Sequence, residues 1–244
     1  MTLKVWMRIY KSMKVLPSFS VKAFYDFMVN TNFDIPIKYS WSQAAEDIAL
    51  ISIPDFPKVG KYLDVGANHP IRFSNTNLLY KLGWNGINIE PNPNLLKVLE
   101  KERPRDFNVQ ATIGKKSQKI MYFFSEDALS TADEERATSL IGEGRKLLKR
   151  MSVASIPLRE IYDSYFLNIQ CDLLSIDVEG LDLEVIKSLD LASLNHHRKP
   201  KYILIETQPP AKKVLASEIS LYIEQFGYDL FLILPRASLY KFKQ

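Results

Sequence analysis

Carboxylates at the ends of apolar runs are the chemistry-bearing feature of this sequence. The first run, Tyr62-Leu63-Asp64-Val65-Gly66-Ala67-Asn68-His69-Pro70, closes a strand on Asp64 and follows with Gly66, where a turn lacking a Cβ lets backbone approach a ligand. The second, Gly86-Ile87-Asn88-Ile89-Glu90-Pro91-Asn92-Pro93, ends on Glu90. A carboxylate only accepts hydrogen bonds, so at a strand end it matches the two vicinal hydroxyls of a ribose. The third, Leu173-Leu174-Ser175-Ile176-Asp177-Val178-Glu179-Gly180-Leu181-Asp182, crowds carboxylates around a strand exit. Asp177 and Glu179, two apart on extended backbone, should project to the same side. They suit three tasks: holding a divalent cation such as Mg2+ or Mn2+, orienting a substrate hydroxyl, or acting as general base. Glu206, closing Ile203-Leu204-Ile205-Glu206, adds to the same rim and completes a candidate metal set with Asp177 and Glu179. Asp182 reads instead as a first-turn helix residue facing the helix dipole.

His69 is the one histidine beside these runs. It has two readings, a base titrating near neutrality or a structural ring bonded to turn backbone. A dinucleotide fingerprint needs glycines where Asn68 and Ile71 stand, which weighs against a pyrophosphate cradle and an NAD-dependent oxidoreductase. Nothing resembles a nucleophile elbow. The single cysteine, Cys171, excludes an internal disulfide and a thiolate zinc cluster, and fits a reducing compartment.

These residues need a sheet to hold them. From Lys61 onward strand-like and helix-like segments alternate, which implies an α/β domain with parallel strands and crossover helices. Lys61–Val65, Gly86–Glu90, Asn108–Thr112, Lys119–Phe124, Leu173–Val178 and Lys201–Glu206 read as strands. Asn75–Leu82, Asn94–Arg103, Leu181–Leu189 and Val214–Phe226 read as helices, and Asp229–Leu234 with Leu239–Phe242 as a closing hairpin. The polar segment Ser125–Arg150 interrupts this alternation, as a solvated insertion or a substrate lid.

Residues 1–40 read as a helical extension to a domain over 41–244. Val5, Trp6, Ile9, Tyr10 and Met13 recur at helical spacing with Lys4, Arg8 and Lys11 on another face. Such a helix lies on an anionic membrane surface, docks on a partner protein, or packs on the domain. The net charge of +4 does not by itself imply nucleic-acid binding, and no basic patch is interleaved with aromatics. No apolar run reaches the ~20 residues of a membrane span. Lys4, Arg8, Lys11 and Lys14 interrupt what would be a signal-peptide core, so a cytoplasmic protein is expected, at most at the inner face of the membrane.

Together YLDVGANHP, SNTNLLYKLGWNGINIEPNP and DLLSIDVEGLDLEVIKSLD, with the upstream SQAAEDIAL, resemble the FkbM-type S-adenosylmethionine-dependent methyltransferases. The resemblance covers roughly Ser42 to Thr207. It implies the class I methyltransferase (Rossmann-like) fold, with a seven-stranded, mostly parallel sheet and an antiparallel final hairpin. It also implies O-methylation of a sugar, glycan or other hydroxylated small molecule, and the Pro70 loop with GWNGINIEP resembles members attached to surface-polysaccharide pathways. On that basis Asp64, Gly66 and Asn68 lie along the methionine and ribose of S-adenosylmethionine, Glu90 holds the ribose hydroxyls, and Ala111 and Thr112 lie near the adenine. Asp177 and Glu179 then face the transferred methyl and the acceptor, with Asp177 the favoured base or metal ligand and His69 the rival base. A catalytically idle, methyltransferase-like binding module, as monomer or homo-oligomer, is the alternative from another class.

Overall fold

The computed structural model describes residues 39–207 and 211–243. The expected helix within 1–40 lies outside the described residues, except for Tyr39 and Ser40, which take no regular structure.

The main sheet has seven strands: β1 (Lys61–Val65), β2 (Asn85–Ile89), β3 (Phe107–Val109), β7 (Leu173–Ile176), β8 (Tyr202–Glu206), β9 (Tyr228–Ile233) and β10 (Ala237–Phe242). Their spatial order is β3-β2-β1-β7-β8-β10-β9. The first five are parallel and β10 inserts antiparallel between β8 and β9, as the sequence-based expectation had it.

The apolar runs are explained by burial on both faces, as a parallel sheet covered by helices requires. Leu63, Val65, Leu174 and Ile176 enter one core, while Tyr62, Leu173 and Leu204 enter another. The chain runs outward from β1 to β2 and β3, then returns to place β7 on the other side of β1, with Val65 opposite Ile176. That reversal is a topological switch point, and the crevice outside the strand ends there is where open α/β sheets bind ligands.

Helix α1 (Glu46–Ile51) is set by Asp47, whose buried carboxylate accepts from the hydroxyls of Ser40 (2.6 Å) and Ser42 (2.9 Å) and from the N–H of Trp41 (2.8 Å). The crossover helices are α2 (Asn77–Lys81), α3 (Pro93–Glu102) and α6 (Asp182–Lys187), each starting later or stopping earlier than the periodicity suggests. The helix expected over 214–226 is two, α7 (Ala211–Leu215) and α8 (Glu218–Glu224), because Ser217 caps a new start by accepting from the N–H of Ser220.

A second sheet was not expected. The strand foreseen over 108–112 splits between β3 and β4 (Thr112–Ile113), and β4 joins β5 (Ser117–Phe124) and β6 (Leu147–Ile156) in the order β4-β6-β5. The polar segment 125–150 is therefore not a plain insertion. It holds a 3-10 turn at Asp127–Leu129, helix α4 (Glu134–Gly142) and the start of β6, with α5 (Leu158–Tyr165) following. Within α4 only Ala137 and Leu140 are buried, closing with Leu129 and Leu147 over Tyr122 and Phe124. So thin an apolar stripe gives almost no helical period to read. No helix among the described residues is long and apolar enough to cross a membrane.

Candidate active site

At the switch point the turns after β1 and β7 touch backbone to backbone. Asp177 N–H donates to the carbonyl of Val65 (3.0 Å), while the N–H groups of Gly66 and Ala67 donate to that of Ile89 (3.0 and 3.1 Å). Gly66 has φ +82°, and a Cβ there would stand 1.9 Å from the Asp177 carbonyl oxygen. Only glycine fits.

Above this contact opens a cleft of about 870 Å3, part of it open to solvent. Gly66, Asn68 and Glu90 form one side, Ala111 and Thr112 the next, and Asp177 and Glu179 the base. Asp127, Ala128 and Ser130 to Ala132 form another wall, so the start of the polar segment 125–150 does face the site. Four lining residues, Glu90, Asp127, Asp177 and Glu179, carry carboxyl groups, and none among the described residues is Lys, Arg or His.

Glu90 is 5% exposed and takes two backbone N–H groups, from Asn68 (2.8 Å) and Asn92 (2.7 Å). Burial nevertheless pushes its pKa up to about 7. Its grip on Asn68 holds that residue left-handed (φ 50°), which folds the first loop against the second strand end.

Carboxylate oxygens of Asp177, Glu179 and Glu206 lie within 4.8 Å of one another. The reason differs from the one the sequence suggested. β7 ends at Ile176, so no extended backbone carries Asp177 and Glu179 to one side; Glu179 (φ 56°) and Gly180 (φ 114°) form a left-handed turn that folds the glutamate back. Asp182, first in α6, clasps that turn by accepting from the N–H of Val178 (3.1 Å) and Gly180 (3.2 Å). The carboxyl of Asp177, recessed at the cleft base, is held well above the usual range by burial and then by Glu206 and Glu179. Burial and the same carboxylate neighbourhood raise Glu206 to about 7.

The cluster suits a divalent cation poorly. Glu179 is ion-paired to Arg136, and Glu206 faces Arg236 at 3.5 Å, so two of the three carboxylates already have cationic partners. The chemistry left to the cluster is that of an acidic pocket held by arginines.

Three expected site residues do not line the cleft: Asp64, His69 and Glu206, the last of which reaches only the carboxylate cluster beside it. Asp64 is 4% exposed and accepts from the hydroxyl of Thr76 at 2.6 Å. It belongs to a buried network around Arg103, which donates to the Pro70 carbonyl (2.6 Å), to Ser74 (2.6 Å) and to Thr76 (2.7 Å). A period-2 strand sends Asp64 to the Tyr62 face, so it supports the loop from beneath. His69 takes its structural reading: Nδ1 accepts from the N–H of Ile71 and Arg72, both at 3.1 Å, which stabilises the neutral ring. Burial and Arg72 lower its pKa further, and it does not line the cleft. It is not placed as a base.

Sequence reasoning missed Gln43, Phe73, Asp127 and Arg136. Gln43 lies within the SQAAED segment that Asp47 folds, so its motif was visible but not its role. Phe73, left-handed at φ 57°, and Asp127 stand in polar loops with no period to mark them.

A seven-stranded sheet of this order, with the hairpin strand β10 set antiparallel beside β8, is the class I methyltransferase fold. The model of the methyltransferase FkbM domain matches residues 64–230. The chain belongs to the FkbM methyltransferase family. Among solved structures it is similar to the FkbM methyltransferase of Methylobacillus flagellatus KT, at 15% identity and a TM-score of 0.50, covering 82% of this chain and 48% of that one. The chain thus spans about half the length of that relative. A TehB-like SAM-dependent methyltransferase from Corynebacterium glutamicum matches at 10% identity and a TM-score of 0.39, over 91% of this chain and 95% of that one. No curated protein matches in sequence.

Proposed function

We propose that the protein transfers a methyl group from S-adenosylmethionine to a hydroxyl of a sugar, glycan or other polyhydroxylated small molecule. The observation that carries this reading is the make-up of the cleft: four carboxyl groups and, among the described residues, no lysine, arginine or histidine. S-adenosylmethionine is a net cation at neutral pH and meets no like charge among these residues, whereas the two phosphates of NAD would find no cationic partner there. The Gly66 turn packs directly on the Asp177 carbonyl and so joins two of the strand ends that line the cleft. When bound, the cofactor supplies a methyl already activated on sulfur.

The rest falls to the chain. Glu90 accepts from vicinal ribose hydroxyls while Asn68 and Asn92 hold it in place. Asp177, at the cleft, is the group placed to receive the proton of an acceptor hydroxyl in its ionised form. Holding donor and acceptor in line can account for ~7–11 kcal/mol of barrier, which exceeds the ~10²–10⁴-fold from the base. Positioning is therefore the main duty of the cleft. A setting in surface-polysaccharide assembly inside the cell rests on the form of the first loop alone.

Calorimetry tests the reading. S-adenosylmethionine should bind with micromolar affinity and NADH should not; binding of NADH in its place would overturn the proposal. Release of S-adenosylhomocysteine with a hydroxylated acceptor separates an enzyme from a binding module.

A further inference from the structure

A smaller cavity, of about 290 Å3, shares Gln43, Phe73 and Asp177 with the cofactor cleft, so the two meet at the proposed base. That volume is at the small end of ligand pockets and suits the edge of one ring rather than a chain. Glu46, Asn75, Glu206 and Arg236 supply its other polar side chains. Arg236, its cation among the described residues, already faces Glu206 at 3.5 Å. An incoming anion gains no free partner there.

What is free is matched to hydroxyls. Glu46 is 2% exposed; its Oε2 accepts from the N–H of Ala44 (2.8 Å), while its Oε1 has no hydrogen bond among the described residues. Deeply placed carboxylates normally fill both oxygens, so Oε1 marks a place for an O–H donor. The half-buried amide of Asn75 also has no hydrogen bond among the described residues, and it can both donate and accept, as a hydroxyl does. Phe73, 44% exposed where the two cavities meet, offers an apolar ring suited to the C–H face of a sugar.

We infer that this cavity receives the edge of an uncharged sugar ring as methyl acceptor, with Glu46 and Asn75 holding hydroxyls of the ring so that a neighbouring one meets Asp177. The inference rests on the methyl-transfer reading and adds the acceptor's class. It also adds two acceptor-binding residues that do not line the cofactor cleft.

The test gives the full chain S-adenosylmethionine with the methyl glycosides of glucose, galactose, mannose, fucose and rhamnose, and with those of glucuronate and galacturonate, and reads release of S-adenosylhomocysteine. At least one neutral glycoside should be methylated, with kcat/KM at least about tenfold above either uronate, the scale of one lost or mispaired polar contact. For that glycoside Asn75→Ala should raise the acceptor KM about tenfold, with kcat, the S-adenosylmethionine dissociation constant and the melting temperature little changed. Glu46→Gln, whose amide oxygen can still accept from Ala44, should shift the same KM. Preference for a uronate, methylation of none of these sugars, an acceptor KM unmoved by Asn75→Ala, or a loss of cofactor affinity in that variant overturns the inference. The methyl-transfer reading survives each of these as long as calorimetry shows S-adenosylhomocysteine bound. Failure to bind it sinks both.

Discussion

In the proposed reaction Glu90 and Asp177 divide the labour between cofactor and acceptor. Asp177→Asn should lower kcat by ~10²–10⁴-fold and leave the S-adenosylmethionine dissociation constant nearly unchanged; normal turnover removes Asp177 as base. Glu90 carries a pH dependence. Its pKa in the folded, unliganded protein is about 7, against an ordinary 4.5. As pH rises between those values the unfolded chain ionises first, so Glu90 subtracts stability across that window, with no further loss above about 7. Ribose hydroxyls need the ionised carboxylate, so cofactor affinity should climb from pH 5.5 to 7 and then level. Glu90→Gln should flatten that profile in titrations at several pH values; an unaltered slope would assign it elsewhere. Asp64 shows the limit of reading single residues, because a strand-end carboxylate looks alike whether it faces a ligand or a buried hydroxyl.

At the scale of elements, legibility followed burial. β1, β7 and β8 are covered on both faces and announce themselves as apolar runs, so the switch point was foreseeable. The turn at Glu179 was not, since its convergence with Asp177 and Glu206 depends on a left-handed residue without a glycine's signature. α4 and β6 escaped notice because they are amphipathic at best, with Lys149 and Arg150 on β6 laid over Phe123 and Tyr122 of β5. The turn elements make a sharp prediction at Gly66. Gly66→Ala should cost about 3 kcal/mol or more in denaturant unfolding, from strain at positive φ plus collision with Asp177, and should abolish cofactor binding. A variant of native stability would mean the two turns can part.

Across the molecule, Arg103 ties α3, β2 and the loop from Pro70 to Thr76 into one body. It is 1% exposed, bonds Pro70, Ser74, Thr76 and Asn88, and has Asp106 at 4.0 Å. Arg103→Met strands these acceptors and should cost about 3–5 kcal/mol, read as a lower denaturant midpoint. The loop it holds carries Phe73 at the cleft mouth, so cofactor affinity should fall with it. The segment between β5 and β6 is tied to the acidic turn at Glu179: Arg136 of α4 pairs with its carboxylate, and the Thr131 hydroxyl donates to its carbonyl at 3.0 Å. The lining residues Asp127 to Ala132 are thereby fixed to the turn that carries Asp177 and Glu179.

The cationless cleft also bears on how a turnover ends. Methyl transfer from the proposed donor extinguishes the positive charge on sulfur, so the attraction that recruits the charged carrier fades once it is spent. Added salt should therefore weaken capture of the fresh carrier more than retention of the used one. Ionic strength, rather than any moving part, would set the balance between reloading and product inhibition.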